Sequence, residues 1–204
     1  MTRPRAIRGE DLRRALAQEA ARIMVEHGVD DYLFAKRKAA LRLGVGEHAA
    51  LPKNSEIVAA LAEYQRLFAA DTHADTLKAQ RQAALEAMRL LEEFEPRLVG
   101  GVLSGLATPH QEISLHVFCD SPEAVSLALM DRGIPYRVAE RRVKMTQERV
   151  LQYPAVVFAA GDHDVDATVF PVDGLRQAPL SPTDGRPMRR ADAEEVEELL
   201  GSSD

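Results

Sequence analysis

Along the first 95 positions, apolar residues return every three or four places, and after that the spacing drops to two. Over residues 9–27, Leu12, Ala15, Leu16, Ala20, Ile23 and Met24 fall on one stripe, the spacing of a helix that buries one face. Gly28 follows, where a left-handed glycine closes a helix. Residues 31–43 repeat the arrangement and end on Gly44. Asn54 or Ser55 offers a side-chain oxygen to cap a third helix reaching about residue 69. Thr72, with Asp75 three residues on, opens a fourth in a capping-box-like arrangement. That helix is expected to run to about Glu95, because Pro96 cannot continue it.

The second half reads differently. Leu98–Leu103 is apolar and split by glycines, and Ile113, Leu115 and Val117 then alternate with Glu112, Ser114 and His116, the period of a strand. Ser121-Pro122 begins a helix with proline at its first position, and Gly133 ends it. Residues 134–143 and 155–160 read as strands. Asp164 to Phe170 alternates cleanly, so the turn residues at 161–163 make the last two strands a hairpin. Three prolines between Val172 and Arg190 leave an ordered arm, and a short helix over 192–200 closes the chain. The fold class expected is α+β: an N-terminal helical module followed by a small mixed β-sheet domain with flanking helices. The parts are residues 1–95, helical; 96–172, α/β; and 173–204, the arm and an acidic C-terminal helix.

Charge and composition narrow the setting. Asp192, Glu194, Glu195, Glu197, Glu198 and Asp204 account for the whole formal charge of −6, so the body is neutral and only the tail is acidic. The bland reading of that tail is a solvated helix face paired with Arg176, Arg186, Arg189 and Arg190 of the arm. The one cysteine, Cys119, lies in an apolar stretch and reads as a small buried hydrophobe. The basic N-terminus has no apolar run behind it, and no 18-residue apolar run occurs. Neither a signal peptide nor a membrane span is therefore expected, and the cytoplasm is the expected compartment. Ser104 lacks the Gly-x-Ser-x-Gly elbow of a hydrolase nucleophile. Lys36-Arg37-Lys38 with Arg42 is too short a basic patch to argue for DNA binding. Packing or homodimer formation is the expected role of the helical part.

The chemistry concentrates between residues 98 and 118. Val99-Gly100-Gly101 precedes ten residues and then Glu112-Ile113-Ser114 on a strand, with Asp164 and Asp166 on a later strand. This outline resembles the polymerase-beta-like nucleotidyltransferase superfamily over roughly residues 96–172. Its members carry a hydrophobic residue, Gly, then Gly or Ser. An Asp-hydrophobic-Asp pair follows on the next strand, and a third carboxylate lies on a later one. The resemblance implies that Gly100 and Gly101 hold the triphosphate of an NTP substrate. It implies that Glu112 and Asp166, or Asp164, hold Mg2+ or Mn2+ and carry catalysis, and that Arg141 or Arg142 meets phosphate charge. Glycines bring backbone N–H groups close to phosphate, and carboxylates on alternate strand positions clamp metal ions on one face.

At one position the pattern is broken. Ser114 stands where the second aspartate belongs, and a neutral hydroxyl cannot bridge two metals. His116 shares a strand face with Glu112 and Ser114 and joins the metal-ligand candidates, since Glu, His and Asp together suit manganese, zinc or iron as well as magnesium. Two functions follow as expectations. One is transfer of a nucleotidyl group from an NTP to an acceptor. The other is a catalytically inactive module that binds a nucleotide or nucleic acid, with Ser114 near the bound phosphates. Residues 132–149 hold Arg132, Arg137, Arg141, Arg142, Lys144 and Arg149, which face either a phosphate or solvent.

Overall fold

A computed structural model describes residues 9–29, 31–46, 50–68 and 70–202. The class is α+β, and the chain forms two compact units that divide at Ala70 and Asp71. The division falls earlier than the change of period near residue 95, because the fourth helix buries its apolar face against the sheet rather than among the first three helices.

The first unit holds α1 (Gly9–His27), α2 (Tyr32–Arg42) and α3 (Asn54–Phe68). Most of the expected stripe on α1 is buried: Leu16, Ala20 and Ile23 have no exposed surface and Met24 little, Leu12 and Ala15 are partly covered, and Ala17 and Ala21 widen the buried face. The alanines keep that face flat, so α2 packs on it through Ala35 and Ala39 and α3 through Ile57 and Leu61. Asp31 caps α2 by accepting from the N–H groups of Leu33 and Phe34.

The second unit runs α4 (Ala70–Leu90), β1 (Arg97–Val99), α5 (Gly100–Ser104), β2 (Ile113–Phe118), α6 (Pro122–Asp131), β3 (Tyr136–Lys144), β4 (Val150–Ala160), β5 (His163–Phe170) and α7 (Ala193–Gly201). Its sheet has the order β1-β2-β5-β4-β3, and only β2 and β5 run parallel. Several elements differ from the sequence reading. β4 starts at Val150, five residues before the expected start, and α4 starts at Ala70, so Thr72 lies inside the helix instead of capping it. The fourth helix ends at Leu90 rather than near Glu95; a 3-10 turn over Glu92–Phe94 follows, and Glu95 at φ 45 closes that turn. At the expected glycine split, Gly100 at φ 74 turns the chain and residues 100–104 coil into the short helix α5.

One face of the sheet presents Leu98, Leu115, Ala167 and Val156, covered by Met88 of α4, Val102 of α5, Leu129 of α6 and Val196 of α7. Beneath that core, buried Arg81 donates to the carbonyls of Val102 at 3.3 Å and Leu199 at 3.5 Å. Both belong to last turns, where carbonyls lack helical partners and the helix dipole favours a cation.

The other face carries Phe118, Phe170 and Tyr153 and is roofed by the arm after Phe170. This is why β5 is buried on both faces although its sequence alternates. Arg190 fastens the arm. It donates to the carbonyls of Gly174 at 2.8 Å and Leu175 at 3.3 Å and to Nδ1 of His116 at 3.1 Å, and its guanidinium lies 4.9 Å from the centre of the Phe118 ring. The arm also meets both outer strands: the Leu180 N–H donates to the Lys144 carbonyl at 2.7 Å, and Ala191 exchanges two hydrogen bonds with Leu98.

Arg190→Ala removes these bonds and the stacking together. Tryptic cleavage of the native protein at Arg176, Arg186 and Arg189 is expected to accelerate by about tenfold or more, read by mass spectrometry of a digestion time course; an unchanged rate contradicts the assignment of Arg190 as the fastener.

Candidate functional site

Strand pairing brings distant residues into one row. Val99 lies opposite Ser114, Ser114 beside Asp166, Asp166 opposite Val157, and Val157 opposite Arg137. All therefore project from the face that also bears His116. Alternation along β3 places Arg137 and Arg141 on that face and sends Arg142 to the other, so Arg142 leaves the candidate set.

The charged side chains in this region form one chain of ion pairs. Arg141 Nε donates to Asp166 Oδ2 at 2.5 Å, and its Nη2 lies 3.9 Å from Glu112 Oε2. Arg137 Nη2 meets Glu112 Oε1 at 3.2 Å. Asp166 is only 8% exposed, whereas the Arg137 side chain is 60% exposed. A carboxylate at that depth is costly without a cationic partner, and Arg141 supplies it. The second oxygen, Asp166 Oδ1, is buried and has no hydrogen-bond partner in the protein.

The two glycines have different causes. Gly100 is held at φ 74, and a Cβ there would meet the Ser114 side chain at an ordinary 3.8 Å, so backbone conformation decides that residue. At Gly101 the neighbour is a side chain: a Cβ would stand 2.5 Å from Gln111 Oε1, and the glutamine amide would have to move to admit it. The Gln111 side chain fills the region beside Gly101, and its Oε1 accepts from the Thr108 N–H at 3.3 Å. The opening that Gly101 leaves is therefore occupied by the protein's own amide.

The expected metal ligands are not assembled. Glu112 and Asp166 are engaged by guanidinium groups. Asp164 is exposed near the start of β5, opposite Ala159. His116 is buried between Arg190 and the Phe170 ring; burial first, and the Arg190 charge second, push its pKa down to about 3. Its Nδ1 accepts from Arg190 and is not free for a metal. Among the described residues, no group of three or more His, Cys, Asp or Glu side chains is placed to hold a metal ion. A divalent ion thus does not fit these residues as they stand.

No known protein family, curated protein or solved structure matches this chain. The geometry of the site alone bears on function.

Two participants escape a sequence reading. Gln111 is an ordinary loop glutamine until the fold lays it on Gly101. Arg190 sits next to an acid-rich segment, yet the arm residue that pairs with that segment is Arg189, 3.7 Å from Glu195, while Arg89 of α4 meets Glu197 at 2.7 Å. The place of Arg137 was open to reading: two positions before Ala139 and four before Arg141, it must share their face. No helix among the described residues is long and apolar enough to cross a membrane.

The His116 environment has a pH signature. Its folded pKa of about 3 lies below the ordinary 6.5, so the unfolded chain takes up the proton first, and stability falls as pH drops from about 6.5 toward 3. The slope from this group is at most about 1.4 kcal/mol per pH unit. Urea denaturation at pH 7 and pH 4.5 is expected to show a smaller loss on acidification for His116→Gln than for the native protein; equal losses contradict the placement.

Proposed function

We propose that this chain is a non-catalytic module on a nucleotidyltransferase-like scaffold that recognises the phosphates of a nucleotide without a metal. The observation that carries the reading is the Arg141 guanidinium set between Glu112 and Asp166. The order of elements supports the scaffold: a strand, a glycine pair, a short helix, a strand beginning beside Glu112, and an acidic strand pairing with it in parallel. Ser114 and the arginine pairing support loss of catalysis, because the carboxylates a two-metal mechanism requires are absent at one position and charge-paired at the others.

Arg137 donates to Glu112, a partly exposed side chain at a loop end, and the Nη2 of Arg141, whose Nε is held by Asp166, lies 3.9 Å from the same carboxylate. A phosphate can take the place of Glu112, gaining charge-assisted hydrogen bonds of the same geometry. A nucleotide suits this better than a nucleic-acid strand. Arg142 and Lys144 alternate onto different faces from their neighbours, Glu140 lies among them, and no continuous basic row forms along the strand.

The test is calorimetric titration with ATP in EDTA, repeated with Mg2+. Binding is expected in both conditions. Arg137→Gln is expected to weaken it by about tenfold, and Glu112→Gln, which removes the competing carboxylate, to tighten it by about three- to tenfold. A transferase gives the opposite pattern: binding that requires Mg2+ or Mn2+ and is lost in Glu112→Gln. That pattern, or no binding at all, overturns the proposal.

A further inference from the structure

We infer that Arg141 is a built-in cation standing where a divalent ion would stand, and that Glu112 and Asp166 form a latent metal site which its charge keeps closed. The inference rests on the ion pairs and holds whether or not a nucleotide binds.

One guanidinium lies between both carboxylates, donating through Nε to Asp166 and standing with Nη2 3.9 Å from Glu112, so its charge fills the space between them. With Arg137 on the far side of Glu112, two acids and two bases balance. A divalent ion entering that neutral cluster brings excess positive charge against Arg141 at close range and in a partly buried setting, where Coulomb repulsion is strong. The acceptor groups a hard cation needs are nevertheless present. Asp166 Oδ1 is buried without a hydrogen-bond partner, Ser114 holds a hydroxyl on the neighbouring strand in register with Asp166, and Glu112, ion-paired with Arg137 at 3.2 Å, supplies a second carboxylate. Oxygen ligands of this kind suit Mg2+ and Mn2+. Water would have to complete the shell around two carboxylates and a hydroxyl once the Arg141 charge is gone.

Charge removal is therefore expected to create a site where the native protein has none. The probe is Mn2+ alone, followed by the loss of its free-ion electron paramagnetic resonance signal. The native protein is expected to leave the signal unchanged. Arg141→Ala is expected to bind one Mn2+ per chain at least about a hundredfold more tightly, and Arg141→Ala with Asp166→Asn to bind none. Because Arg141→Ala leaves Asp166 buried without a partner, Arg141→Gln serves as a second variant. Its amide still donates to Asp166 while the charge is gone, and its thermal midpoint should rise with Mn2+ where that of the native protein does not. Equal Mn2+ binding by native protein and variants overturns the inference, and so does a folded Arg141→Gln that binds no ion. Titration of the native protein with ATP in EDTA tests nucleotide recognition separately, so either idea can fail alone.

Discussion

The second unit depends on the pairing of Ile113–Phe118 with Val165–Phe170, a parallel ladder between segments far apart in the chain. Parallel strands cannot be joined by a tight turn, and here the connection carries α6 and the β3–β4 hairpin. The register does two jobs at once. It points Leu115, Val117, Val165 and Ala167 at the helices, and Ser114, His116, Asp166 and Thr168 at the opposite layer. A slip of one residue would exchange the two sets, burying a carboxylate in an apolar core and turning valines toward the charged cluster. Core and candidate site are thus specified by the same hydrogen bonds.

Guanidinium groups organise the polar interior. Arg81, Arg141 and Arg190 each leave solvent for a different kind of partner: helix-end carbonyls, carboxylates, and a set of carbonyls, aromatic faces and an imidazole nitrogen. Arginine suits all three because it is weakly hydrated, planar and rich in donors. Burial, with Arg97 nearby, pushes the Arg190 pKa down only to about 10, which leaves it charged at neutral pH. Burial first, and the Arg190 charge second, keep His116 neutral, so a residue that reads as a metal ligand acts as a hydrogen-bond acceptor in a closed layer.

Much of the architecture is legible in the sequence because it follows from period alone. The α1 stripe, the alternation at β2 and β5, the turn at 161–163 and proline at the start of α6 each express a local rule that tertiary contacts do not oppose. Other features depend on contacts that period does not encode. The arm over Phe118 and Phe170 turns a half-exposed strand pattern into a fully buried one. The φ of Gly100 converts an apolar run into a helical turn. Strand register sets Ser114 beside Asp166, and ion pairs join Asp166, Arg141 and Glu112, but the sign of such relations is invisible along the chain: whether an arginine faces a ligand or a carboxylate depends on how far a side chain reaches across the sheet. Gly101 shows the same limit, since a glycine that admits phosphate and one that admits a glutamine look alike in sequence.

The arm's two backbone contacts bear on self-association. β1 and β3 are the outer strands, and an outer strand offers unpaired N–H and C=O groups to any passing chain. Ala191 takes up both groups of Leu98, and Leu180 occupies the carbonyl of Lys144. One segment with no strand of its own thereby ties the two edges together at one residue each, Leu98 and Lys144. The rest of β3 stays exposed, and its own charges, Arg137, Glu140, Arg141 and Arg142, are what discourage a passing chain from pairing there.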